Sequence, residues 1–172
     1  NLFLFYILIV SVLSVYYLMG LNIVITNNAI AEWLINYQGG FVRRGFLGEF
    51  VYQISLFFKL NLRFGFLILQ IFLYLTYYYL IYRLLTNISY NYLIFVTIFS
   101  PLFILFPIAE LEALGRKEVI LFIILILSSN IFFNNKKNNL GLFFISLSFP
   151  ILLLIFETSI FYSLFFIFII LI

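Results

Sequence analysis

The sequence predicts an all-α fold, a polytopic transmembrane helical bundle of about six spans, with short interfacial helices in its first long loop. Three observations predict it. Two-thirds of the chain (66%) is apolar and only 9% is charged, with a mean hydropathy of +1.25, against about 25% charged and about 45–50% apolar in a soluble domain. Apolar runs close to the roughly 20 residues that a helix needs to cross a hydrocarbon core of about 30 Å recur between short polar breaks. Stretches such as Val119 to Leu127 are apolar at every position, where a spanning β-barrel would alternate with period two.

The expected spans are Leu2–Leu21, Phe64–Tyr82, Tyr90–Ala109, Val119–Phe133, Leu140–Phe156 and Ser159–Ile172. The first has no basic flank before it and no small-residue cleavage pattern after it, so it reads as a retained span rather than a signal peptide. Polar breaks between spans carry Arg83 with Asn87, Glu110 to Glu118, Asn134 to Asn139, and Glu157. Pro101, Pro107 and Pro150 fall inside spans and are expected to kink them. The chain starts at Asn1 rather than Met and stops at Ile172 within an apolar run, so residues 1–172 are expected to form a single transmembrane domain truncated at both ends.

Residues 22–63 form the one long connection, and about 40 residues without structure of their own would be unusual. Asn28 can cap a helix in which Ile30, Trp33, Leu34 and Tyr37 share a face. Leu47, Phe50, Val51, Ile54, Phe57 and Phe58 follow helical spacing after a glycine-rich turn. Both helices are too short and too polar on one face to span, so they are expected to lie flat at the membrane surface with Trp33 and Tyr37 at headgroup depth.

Cysteine, histidine and aspartate are absent, and all six acids are glutamates. That removes disulfides, thiolate chemistry, the commonest metal ligand and the commonest general base. No cofactor, no metal and no nucleic acid is expected. On alternate sides of the membrane, one side receives Arg83, Lys136 and Lys137, and the other receives the remaining basic residues with all the glutamates. A raw count of basic residues would place the second side in the cytoplasm, whereas the mixing of its charges suggests a site rather than a topology signal.

Three clusters carry the chemistry. Gly39 and Gly40 allow a concave backbone, and Arg43 and Arg44 offer planar forks matched to phosphate oxygens. Gly45 and Gly48 would let the following helix approach closely, with its N-terminus facing the same anion. The alternative is that the arginines anchor the loop to anionic headgroups or pair with Glu32 and Glu49. The second cluster, Glu110, Glu112, Arg116, Lys117 and Glu118, either completes a polar cavity or forms a solvated loop. The third is Glu157, which either sits partly inside the membrane as a general acid or base or marks a tight turn; a helix running from Leu140 to Ile172 would overshoot the bilayer, which favours a turn with a site-facing carboxylate.

The segments Asn36-Tyr37-Gln38-Gly39-Gly40-Phe41-Val42-Arg43-Arg44-Gly45-Phe46-Leu47-Gly48-Glu49, Gly115-Arg116-Lys117-Glu118 and Phe156-Glu157 together resemble three signatures of a group of bacterial polytopic membrane proteins from surface-polysaccharide gene clusters. These are a GGFVRRGL-type loop, an RKE motif and a His-Glu pair, with Phe156 here in place of the histidine. The layout is similar to membrane glycosyltransferases of the GT-C type and to O-antigen polymerases, whose loop acid is usually aspartate where this chain has only Glu32 or Glu49. The resemblance implies a multi-pass protein of the bacterial inner membrane that uses a polyprenyl-phosphate-linked sugar and has membrane lipid as its other partner. Under it, Gly39, Gly40, Arg43 and Arg44 would bind the phosphates, Arg116 and Lys117 would support them, and Glu49 or Glu157 would be the base. A non-catalytic carrier or flippase for the same lipids, or a structural subunit, would use the same cations without chemistry.

Overall fold

The computed structural model describes residues 2–23, 28–42, 44–86, 91–101, 103–110, 113–134 and 139–171. Arg43, Glu112, Lys136 and Lys137 lie outside them. The regular structure of the described residues is all helical, without strands: α1 (Leu2–Ile23), α2 (Asn28–Trp33), α3 (Phe46–Phe58), α4 (Leu62–Thr86), α5 (Tyr92–Phe99), α6 (Phe106–Ala109), α7 (Glu118–Asn134), α8 (Asn139–Ile155), a 3-10 helix (Glu157–Tyr162) and α9 (Ser163–Leu171). They group into two compact units, one of Asn1–Glu32 with Arg63–Arg116 and one of Trp33–Leu62 with Lys117–Ile172.

In the first unit, α1 and α4 are the two described helices long and apolar enough to cross a membrane. Their 22 and 25 residues reach about 33 and 38 Å at about 1.5 Å per residue. α1 buries Ile7, Val10, Ser11, Ser14 and Leu18 along one stripe. Its other faces expose Leu2, Phe5, Leu8, Val12 and Met19, so no polar face is turned outward as on a helix at a soluble surface. The expected span Tyr90–Ala109 is corrected, because it divides into α5 and α6. Ser100, forced out of the helical region by the Pro101 ring, takes φ −66°, ψ 138° and ends α5. Pro107 sits in the first turn of α6, where a missing N–H costs nothing.

A polar stripe on α4, absent from the sequence reading, holds this unit together. Gln70 is fully buried, accepts from Asn22 Nδ2 at 3.2 Å and donates to the Gly115 carbonyl at 3.2 Å. One turn on, the Tyr74 hydroxyl accepts the Gly115 N–H at 3.1 Å. A further turn on, Tyr78 meets Ser14 Oγ at 2.7 Å. Residues four apart share a helix face, so one row of side chains ties α4 to α1 and to the turn before Arg116.

In the second unit, α7 and α8, of 17 residues each, pack against each other and, with the 3-10 helix, against α9. Pro150 is inside α8 as expected. α3 forms where the apolar spacing places it, and Lys59 in the left-handed conformation (φ 53°) closes its C-terminus. The reading of Trp33 is corrected. α2 ends there instead of continuing to Tyr37, and the indole has 0% exposure, sealed in the protein rather than presented to headgroups.

Gly48 explains how α3 comes so close to the Trp33–Ile35 backbone. A Cβ there would collide with the Ile35 carbonyl, and backbone cannot yield as a flexible side chain does. Gly48→Ala should therefore destabilise the protein by about 2 kcal/mol or more. Gly39→Ala, whose Cβ would meet nothing within 4 Å, should stay within about 0.5 kcal/mol of wild type. Thermal unfolding in detergent, followed through the fluorescence of Trp33, checks both; equal midpoints for the two variants would contradict the packing described.

Candidate functional site

The site lies in the second unit and is built from three distant stretches of chain. The Tyr37–Gly45 turn closes on itself: Gly40, at φ 121°, donates to the Tyr37 carbonyl at 3.0 Å, and Gly45 donates to the Val42 carbonyl at 2.9 Å. The Tyr37 and Phe41 rings stack at 5.4 Å. Such a positive φ suits glycine and strains other residues. The turn thus delivers Arg44 immediately before the Gly45 cap of α3.

Glu49 fastens this turn to α3. Its carboxylate accepts from Gln53 Nε2 at 2.6 Å, Gln38 Nε2 at 3.0 Å and the Tyr37 N–H at 3.1 Å. The Gln53 bond chiefly holds its carboxyl below the usual range, opposed in part by desolvation and aided by the weaker effects of the Gln38 and Tyr37 bonds. Glu49 therefore organises the loop, and its hydrogen bonds do not include Arg44.

The second stretch is the RKE segment. Lys117 is 1% exposed, and its ammonium donates to the Arg44 carbonyl at 3.1 Å. Arg116 is exposed and belongs to the first unit. The third stretch is the end of α8. Phe156 turns extended (φ −152°, ψ 99°) and ends the helix. Glu157 opens the 3-10 helix that follows, so it occupies a tight turn.

Its carboxylate faces the arginine loop. Glu157 Oε1 accepts from Arg44 Nε at 2.8 Å and from Arg44 Nη2 more closely still. The two side chains are 36% and 39% exposed, so solvent screens the pair. Beside it is a cavity of about 620 Å³ lined by Phe41, Arg44, Leu153, Leu154, Glu157, Thr158, Ile160 and Phe161. This size accommodates a small organic ligand, and the lining joins one ion pair to apolar walls. Thr158 Oγ1 is buried without a hydrogen-bond partner.

Of the sequence candidates, Arg44, Lys117 and Glu157 are brought together. Gly39 and Gly40 are exposed at the tip of the turn and do not line the cavity. The sequence reading did not identify Thr158 and Phe41 as lining residues. Phe41 lies inside the glycine-arginine motif, a signal that could have found it.

Two outcomes follow. A double-mutant cycle of Arg44→Ala with Glu157→Gln should give a coupling of about 0.2–1 kcal/mol, the scale of a screened pair; a coupling indistinguishable from zero would mean the pair is not formed in solution. Glu49, with a lowered native value, contributes stability that is present above its ordinary value of 4.5 and lost as pH falls through the native one. The wild-type unfolding midpoint should accordingly drop more steeply below pH 4.5 than that of Glu49→Gln, and parallel profiles would contradict this. Comparison with protein-family models, with curated proteins and with solved structures returns no match.

Proposed function

We propose that this chain is a multi-pass protein of the bacterial inner membrane that acts in envelope polysaccharide assembly, as a GT-C-like glycosyltransferase or O-antigen-type polymerase using a polyprenyl-linked sugar phosphate. One observation carries the reading. Arg44 and Glu157, 113 residues apart, meet at a cavity whose other walls are largely apolar, which is the combination that a lipid-linked phosphate requires.

In the proposed step, an acceptor hydroxyl oxygen attacks the anomeric carbon of the donor sugar and forms the new glycosidic bond. The bond from that carbon to the lipid diphosphate oxygen breaks, and the leaving diphosphate takes the electron pair beside the Arg44 guanidinium. The hydroxyl proton passes to the Glu157 carboxylate. Lys117 holds the Arg44 backbone, and Arg43 would add a second cation to the same loop. Helices such as α1, apolar on every face, support the membrane location.

A second reading, a carrier or flippase for the same lipids, is favoured by the resting ion pair, since a carboxylate engaged by a guanidinium is a poorer proton acceptor than a free one. The two readings diverge on turnover. Arg44→Lys keeps the charge but loses the planar fork, and Glu157→Gln keeps the shape but loses the base. Both should abolish polysaccharide production at matched membrane abundance, and purified wild type should release a glycosylated product. A carrier would bind the lipid and release none; wild-type behaviour of Arg44→Lys would count against phosphate recognition altogether.

A further inference from the structure

We infer that Glu157 occupies the position of the ligand's anion in the resting protein, and that a lipid-linked diphosphate binds by exchanging with it on Arg44. This rests on the proposed function and adds how the site opens. The guanidinium directs both Nε and Nη2 at one carboxylate oxygen, the same edge with which an arginine grips phosphate. An anion entering the cavity can take that edge only by displacing Glu157.

The exchange is cheap to make. A pair with both partners more than one-third exposed is held weakly, whereas a diphosphate brings more charge and more acceptor oxygens. Only side chains need move, because the Lys117 ammonium retains the Arg44 carbonyl. Two features of the cavity suit such a ligand before it arrives. Thr158, next to Glu157 in the chain, lines the cavity, and its Oγ1 is buried with no partner. Phe41, Leu153, Leu154, Ile160 and Phe161 form the rest of the wall; Phe41 and Phe161 are each 77% exposed, so the cavity is edged by aromatic surface that an isoprenoid tail would cover. The apolar lining favours a lipid-linked diphosphate over a free one.

The test uses the protein in nanodiscs with farnesyl diphosphate and inorganic diphosphate as probes, titrated against wild type, Glu157→Gln, Glu157→Asp and Arg44→Ala. Exchange predicts that Glu157→Gln, lacking the competing charge, binds farnesyl diphosphate about two- to fivefold tighter than wild type. Glu157→Asp, whose carboxylate is retracted by one methylene, should shift the same way, so the result does not depend on the folding of one variant. Arg44→Ala should lose binding. Unchanged or weaker binding by both Glu157 variants would overturn the exchange while leaving the anion site of the proposed function in place. No binding of either probe by wild type or the Glu157 variants would overturn both. Inorganic diphosphate binding as tightly as farnesyl diphosphate would overturn the assignment of a lipid-linked ligand.

Discussion

An ammonium group removed from water is tolerated only where the protein supplies acceptors in its place, and Lys117, at 1% exposure, imposes that condition on the second unit. Its hydrogen bond to the Arg44 carbonyl spans 73 residues of sequence and holds the backbone just before α3. The start of α3 is fixed by the contact of Gly48 with Ile35, and on the other side of Arg44 the loop is held by Glu49 gripping Tyr37 and Gln38. Arg44 therefore projects from backbone secured on both sides, and its side chain reaches Glu157 because its Cα has little freedom to be elsewhere.

The same physics organises the first unit with neutral groups. Gln70, Tyr74 and Tyr78 lie on an apolar helix, where an unpaired polar atom would cost more than in water. Each finds a partner: the Gly115 carbonyl, the Gly115 N–H and Ser14. Gly115 and Lys117 are two residues apart, so the RKE segment begins with a backbone turn clamped in one unit and continues with a buried ammonium in the other. Through its hydrogen bond to the Arg44 carbonyl, Lys117 positions Arg44.

Periodicity and composition exposed much of this in the sequence. The apolar runs marked α1, α4, α7 and α8 to within a few residues, because a run that is apolar on all faces has one stable backbone state away from water. The spacing of Leu47, Phe50, Val51, Ile54, Phe57 and Phe58 marked α3. The Pro101 break was visible as a proline, but whether it kinks a helix or ends it depends on neighbours that local pattern does not contain. Trp33 was misplaced for the same reason: an amphipathic ring suits both an interface and a core, and Gly48, which packs against its backbone, lies 15 positions later. The pairing of Arg44 with Glu157 was legible as a need, since a carboxylate among Leu153, Leu154 and Phe161 calls for a cation. The turn at Glu157 was expected, because a helix from Leu140 to Ile172 would overshoot the bilayer, whereas the cavity beside it depends on Phe41 and Arg44 arriving from a loop 113 residues away.

Two glutamates were candidates for one role, and their surroundings separate them. Glu49 is the acceptor of three donors that each stabilise its charge and hold the loop's shape, so any movement or protonation there would loosen the turn that presents Arg44. Glu157 is engaged by the Arg44 guanidinium, in a turn and at a cavity. The Arg44 side chain lines this cavity with Phe41, Leu153 and Phe161 and stays 36% exposed to solvent. Pairing with Glu157 neutralises it at little energetic depth, since the pair is partly exposed. A partly exposed pair of this kind is weak enough to give way, whereas a deeply buried pair in the same place would be too costly to separate.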